Sequence, residues 1–81
     1  MNFTAQVKIM PMKELLDPQG KAVLGGLKHL DINVIEDVRV GKHIVLQINA
    51  ASEAEAMKAA REATEKLLAN PVMETFEISL Q

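Results

Sequence analysis

The stretch Asp37–Ile48, DVRVGKHIVLQI, sets apolar residues at Val38, Val40, Ile44, Leu46 and Ile48 against polar ones at Asp37, Arg39, Lys42, His43 and Gln47. This alternation predicts two β-strands folded back on each other, each with one buried face. Gly41-Lys42 interrupts it, and glycine is the usual punctuation of a tight hairpin. Parity constrains the loop. With only Gly41 and Lys42 in the turn, Val40 faces His43 and Arg39 shares a face with Ile44. One more loop residue, or a bulge beside Gly41, unites Val38 and Val40 with Ile44, Leu46 and Ile48. A one-residue slip inverts every side chain, so a three-residue loop or a G1-type bulge is expected.

The rest of the chain arranges itself around this hairpin. Phe3–Ile9 alternates and reads as a strand, ended by Pro11. Met12–Leu16 is a short link. Asp17-Pro18 opens a helix, with Asp suited to the N-cap and Pro to the first turn. Val23, Leu24, Leu27 and Leu30 follow at helical spacing, and His29 lies in the last turn. Gly25-Gly26 inside this helix is unfavourable, and close packing onto a sheet is its expected reason. After Asp31–Asn33 comes a strand over Val34–Val40, then the second hairpin strand. Ser52 with Glu55 three residues on is a capping box. Met57, Ala60, Thr64 and Leu67, flanked by Ala56, Ala63 and Leu68, form the buried stripe of a second helix. Lys58–Glu62 and Glu62–Lys66 are i,i+4 pairs on its outer side. Asn70-Pro71 ends it, with Asn in a left-handed conformation. Val72–Leu80 is the last strand. The order β-α-β-β-α-β predicts an α+β fold: a four-stranded antiparallel sheet, spatial order 4-1-3-2, with two helices on one face, the ferredoxin-like arrangement.

Several function classes are disfavoured at this level. An 81-residue chain is one domain, 1–81, with a modest core. It has no cysteine, hence no disulfide framework or thiolate metal site. No apolar run approaches a membrane span and no signal peptide is visible, so no membrane partner and a cytoplasmic location are expected. A net charge of −2 speaks against nucleic acid, which needs a basic stripe. The uncovered sheet face, with Thr4, Gln6, Lys8, Asp37, Arg39, Val45, Gln47, Thr75, Glu77 and Ser79, has no aromatic residue on which a base could stack. The outer strands Val34–Val40 and Val72–Leu80 offer unpaired backbone groups, through which self-association or partner docking is expected.

The chemical inventory is short. His29 and His43, the two histidines, belong to different elements, and no metal-ligand spacing occurs. Ser52 is accounted for as a cap and Ser79 as a strand surface residue. Gln19-Gly20-Lys21-Ala22 lacks the earlier Gly and the Ser or Thr of a phosphate loop and reads as a helix start. Glu53 and Glu55 sit in a first helical turn, where the dipole explains them. Pro11–Leu16 has neither the Arg nor the glycines of an acylphosphatase-type loop. The residues favour a binding or assembly role, with no catalytic, cofactor-binding or metal residues assigned.

Three stretches carry a family resemblance: Leu16–Val23, LDPQGKAV; Asp37–Lys42, DVRVGK; and Glu65–Glu74, EKLLANPVME. In this order and spacing they resemble the PurS subunit of phosphoribosylformylglycinamidine (FGAM) synthase, over essentially the whole chain. Gly25-Gly26 departs from the family pattern. The resemblance implies a small, non-catalytic, dimeric subunit of a glutamine-dependent, ATP-using carbon–nitrogen ligase of purine biosynthesis. It implies two partners: a synthetase subunit that uses ATP and magnesium, and a glutaminase subunit that releases ammonia. Asp17 and Gln19 at the first helix start, and Arg39, Lys42 and His43 at the hairpin tip, are the expected subunit contacts. Each also has a local reading as turn or cap chemistry. The alternative function is a small-molecule-sensing regulatory domain of similar topology.

Overall fold

Strand β1, Asn2–Pro11, is the centre of the molecule because both of its edges are paired. A computed structural model describes all residues, 1–81. β1 runs antiparallel to β2, Lys42–Asn49, on one side and to β3, Glu74–Leu80, on the other. The sheet order is β2-β1-β3. Ala5, Val7 and Ile9 point to one face and are fully buried. Their cross-strand neighbours are Leu46, Ile44 and Lys42 on β2, and Leu80, Ile78 and Phe76 on β3.

Helix α2, Glu53–Ala63, covers that face. Ser52 caps it, accepting from the Glu55 N–H at 3.2 Å, while Glu55 accepts from the Ala51 N–H at 3.0 Å. Both halves of the expected capping box form, although Glu55 reaches one residue further back than the N-cap itself. Ala56, Ala60 and Thr64 are buried, Met57 and Ala63 half-buried. The Thr64 hydroxyl donates to the Ala60 carbonyl at 2.8 Å. The helix then widens into a π turn over Thr64–Leu68, closed by the Ala69 N–H donating to the Thr64 carbonyl. The extra residue in this turn rotates the stripe. Leu68 and Ala69 face the sheet, whereas Leu67, expected inside, is 83% exposed. On the outer side Lys66 pairs with Glu62 at 2.7 Å; the expected Lys58–Glu62 pair does not close. Asn70 ends the helix by an Asx turn instead of a left-handed residue: its side-chain oxygen accepts from the Val72 and Met73 N–H groups.

The largest departure from the sequence reading lies between β1 and β2. Helix α1, Pro18–His29, forms as expected, capped by Asp17. It ends in a Schellman motif: Asp31 is left-handed at φ 61°, the Asp31 N–H bonds the Lys28 carbonyl and the Ile32 N–H the Leu27 carbonyl. Yet α1 makes no substantial packing against the sheet. Gly25 and Gly26 have open space where a Cβ would stand, so no close packing within the chain accounts for them. Val34–Val40 is not a strand of the sheet, and the expected hairpin around Gly41 does not form. From Ile35 the backbone runs without turn or bend through Gly41 into β2. No glycine has positive φ. The sheet therefore has three strands in a β-α-β-α-β order, and one helix lies on its face, not two.

Residues 12–41 thus form an arm that leaves the sheet as a helix and returns as extended chain. The longest molecular dimension is 52 Å and the radius of gyration 16.2 Å, against about 12 Å for a compact chain of this length. The outer strands of the sheet are β2 and β3, so the expected free edge at Val34–Val40 is replaced by that of β2. With α1 standing off, Ile44, Leu46, Phe76 and Ile78 remain half-buried, and the fully buried apolar set is confined to β1 and the small residues of α2.

Such a core has little redundancy. Ile9→Ala is expected to cost about 2–5 kcal/mol, a large share of the roughly 4–12 kcal/mol available to a domain of this size. Urea unfolding followed by far-ultraviolet circular dichroism checks this, and a midpoint unchanged from the parent contradicts it.

Candidate functional site

The base of the arm is where distant segments of sequence meet. Asp17 ends the link after β1 with extended backbone at φ −111°, ψ 92°, leaving its carboxylate free to face two N–H groups. One oxygen accepts from the Gly20 N–H at 3.0 Å, the usual N-cap bond. The other accepts from the Val40 N–H at 2.9 Å, twenty-three residues away. One side chain thus ties the start of α1 to the returning strand. Gly20 allows the two to touch: a Cβ there collides with the Val38 carbonyl. Gly41 is required for a similar reason, since a Cβ would strike the Met10 sulfur and the Ile9 carbonyl. Sequence reasoning assigned Gly41 to a turn; its actual role is close approach to β1.

The Arg39 guanidinium donates to the Pro11 carbonyl at the end of β1. On the far side of the junction, the Asn70 N–H donates to Glu74 at 2.7 Å, and Lys42 lies 3.6 Å from the same carboxylate. The Met12 N–H donates to the Met73 carbonyl at 2.9 Å. The link after β1, the start of α1, the end of the returning strand and the α2–β3 turn are thereby held in one fixed arrangement.

Two open clefts flank this junction. One, of about 350 Å³, is lined by Pro11, Leu15, Leu16, Asp17, Pro18, Gln19, Val40, Asn70, Met73 and Glu74. The other, of about 420 Å³, is lined by Met10, Pro11, Met12, Lys13, Glu14, Arg39 and Thr75. Of the residues marked from sequence, Asp17, Gln19, Arg39 and Lys42 meet here. His43 does not: it lies one residue up β2, exposed and opposite Lys8 on the open sheet face. Sequence reasoning passed over Leu16, Asn70, Met73 and Glu74 as site residues. The available signal was that all four lie in the stretches carrying the family resemblance, and those stretches converge at this junction.

The electrostatics fit fixing more than proton transfer. The Gly20 N–H first, then the Val40 N–H, hold the Asp17 carboxyl below the ordinary carboxylate range, with Arg39 adding a smaller push. A general base is most effective with a pKa near the working pH, and Asp17 moves the opposite way. No cluster of three His, Asp or Glu side chains is placed to hold a metal ion. No helix is long and apolar enough to cross a membrane.

This is a small α+β domain whose signature residues build an open junction tied by hydrogen bonds between distant segments. The chain belongs to the PurS family of FGAM synthase, whose family model matches residues 4–81. The PurS subunit of Bacillus subtilis is 34% identical over 79 residues, spanning 98% of this chain and 93% of that protein. That of Mycobacterium leprae is 41% identical over 76 residues, spanning 93% and 91%. Among solved structures, PurLQS from Thermotoga maritima contains a chain that superposes with a TM-score of 0.90 at 26% identity, covering 100% of this chain and 99% of that one.

The junction yields a pH test. Because the folded-state pKa of Asp17 is lowered, its contribution to stability is present above the unfolded value of about 3.9 and is lost as pH falls through the folded value. Asp17→Asn is expected to lower the urea midpoint at pH 7, with the gap to the parent narrowing as pH falls below about 4. A gap that stays constant over that fall contradicts the assignment.

Proposed function

We propose that this chain is a non-catalytic, homodimeric subunit of FGAM synthase that bridges the ATP-dependent synthetase and the glutaminase. Ammonia released from glutamine then reaches formylglycinamide ribonucleotide without escaping. The carrying observation is the match of nearly the whole chain to the PurS family, with close superposition on a chain of the Thermotoga PurLQS structure. The hydrogen bonds of Asp17 and Arg39, which tie distant segments together at the junction, support an assembly role. ATP and magnesium belong to the synthetase in this account, and the chain itself binds neither.

The physical requirement is geometric. Ammonia in neutral water is mostly protonated and no longer nucleophilic, so two active sites that share it must be held in register and sealed. A subunit can do this without a reacting group if its own shape is fixed. The junction supplies that rigidity, and its clefts offer apolar side chains together with unengaged polar ones such as Gln19. Leu16, 66% exposed, is the most prominent apolar contact candidate.

Reconstitution tests the reading. Adding the chain to synthetase and glutaminase is expected to raise glutamine-dependent turnover and to leave turnover with supplied ammonium unchanged. No change in glutamine-dependent turnover contradicts the proposal. Leu16→Asp is expected to weaken association with the other subunits by roughly tenfold or more, about 1.4 kcal/mol, while the variant's own circular dichroism stays that of the parent.

A further inference from the structure

Arg39 carries a charge that the chain leaves without a counter-ion. The residue is half-buried, yet the ion pairs of the molecule, Lys42–Glu74 and Lys66–Glu62, do not involve it. Its guanidinium makes one hydrogen bond, to the Pro11 carbonyl. A guanidinium holds several N–H donors in a planar fork, so most of them are left for a ligand. Asp17, the acidic neighbour within its field, has both oxygens taken by the Gly20 and Val40 N–H groups. Arg39 lines the open cleft of about 420 Å³ beside the end of β1. Lys13 and Glu14 reach this cleft from the corner of a turn, which the Leu15 N–H closes by donating to the Met12 carbonyl at 3.1 Å. Thr75 reaches it from β3, where it stands opposite Met10. Lys13 has no ion-pair partner. The Thr4 and Thr64 hydroxyls bond within the chain, whereas that of Thr75 does not.

We propose that this cleft binds the phosphate group of a small phosphate monoester, held by Arg39, Lys13 and Thr75. The three donors come from three separate segments: the returning strand, the turn after β1 and the start of β3. Converging donors of this kind suit a tetrahedral anion with three terminal oxygens, whereas the fork of Arg39 alone satisfies a planar carboxylate. Lys13 and Arg39 against Glu14 give the lining one net positive charge, in a chain whose net charge is −2. Glu14 therefore weakens the attraction without cancelling it. The volume lies within the range of small-molecule sites and leaves room for an organic remainder beyond the phosphate. Met10 and Met12 supply a pliable apolar wall to that remainder. No aromatic side chain lines the cleft, so nothing stacks a nucleobase, and a sugar phosphate fits better than a nucleotide. Such a ligand touches both segments that Arg39 joins and adds a second tie at the junction. The site is additional to the bridging role and does not depend on it.

Titration of the isotope-labelled full chain, followed by amide nuclear magnetic resonance shifts, tests this. The probes are ribose 5-phosphate, inorganic phosphate and ribose, at about pH 8, where the phosphate is dianionic, with chloride holding the ionic strength constant. Ribose 5-phosphate is expected to give saturable shifts at Lys13, Glu14, Arg39 and Thr75, with a Kd on the order of 1 mM. It is expected to bind at least as tightly as inorganic phosphate, and ribose is expected to give no shift. Arg39→Gln is expected to raise the Kd by roughly tenfold or more. Because Arg39 also bonds Pro11, Thr75→Val serves as a second variant that breaks no hydrogen bond within the chain. It is expected to raise the Kd about threefold. Glu14→Gln, which removes the like charge, is expected to lower it about twofold. Shifts that stay linear with concentration, or that spread over the surface, overturn the proposal. So does a Kd that neither Arg39→Gln nor Thr75→Val changes. Binding of inorganic phosphate without ribose 5-phosphate marks an adventitious ion only, and overturns it equally. Stimulation of glutamine-dependent turnover by the chain is a separate readout, so loss of this site leaves the bridging role standing.

Discussion

The carboxylate of Asp17 fastens the arm to the body of the molecule, and most of what distinguishes this fold depends on it. Without that side chain, α1 and the returning strand are joined mainly through the turn at Leu30–Asn33 and the backbone contact at Gly20. With it, the Gly20 and Val40 N–H groups share one anion, so the helix start and the strand end are set relative to each other and to Pro11. Arg39 reinforces the same point from the other side by bonding the end of β1. The arm therefore leaves the sheet in a defined direction although α1 makes no substantial packing against the sheet.

This geometry explains the uneven core. A three-stranded sheet with one helix on it buries completely only the inward side chains Ala5, Val7 and Ile9 of its central strand. Val7 and Ile9 are sealed, while Ile44, Leu46 and Ile78 on the flanking strands stay half-open. The arm adds further exposed apolar residues, Val23, Leu30 and Val34. A chain that leaves apolar residues open on both its sheet and its arm has a physical reason to associate. That is a suitable property for a subunit whose proposed work is holding other subunits in place.

Much of this was legible in the sequence, because local rules decided it. Strands β1 and β3, both helices, the Asp17 and Ser52 caps and the inward side of every strand follow from alternation, helical spacing and cap chemistry. The departures share one cause: they are decided by contacts between segments. Periodicity specifies that Val34–Val40 wants a strand partner; it is silent on whether that partner is Lys42–Ile48 of the same chain. Gly41 carries a turn signature, yet its glycine is needed for the approach of Ile9 and Met10. Leu67 sits at a buried helical spacing, and a π turn rotates it outward. At the junction, Asp17, Gln19, Arg39 and Lys42 are contact candidates that the sequence marks by their places at the helix start and the expected hairpin tip. Glu74 needed the fold to bring it within reach of Lys42.

The central claim is that this chain is incomplete alone and is built to be one part of a larger assembly, beginning with a second copy of itself. Light scattering coupled to size-exclusion chromatography on the unaltered chain, at tens of micromolar, tests it most directly. The account predicts a particle of twice the 8.9 kDa chain mass, or a larger even multiple. A particle of 8.9 kDa at that concentration contradicts it.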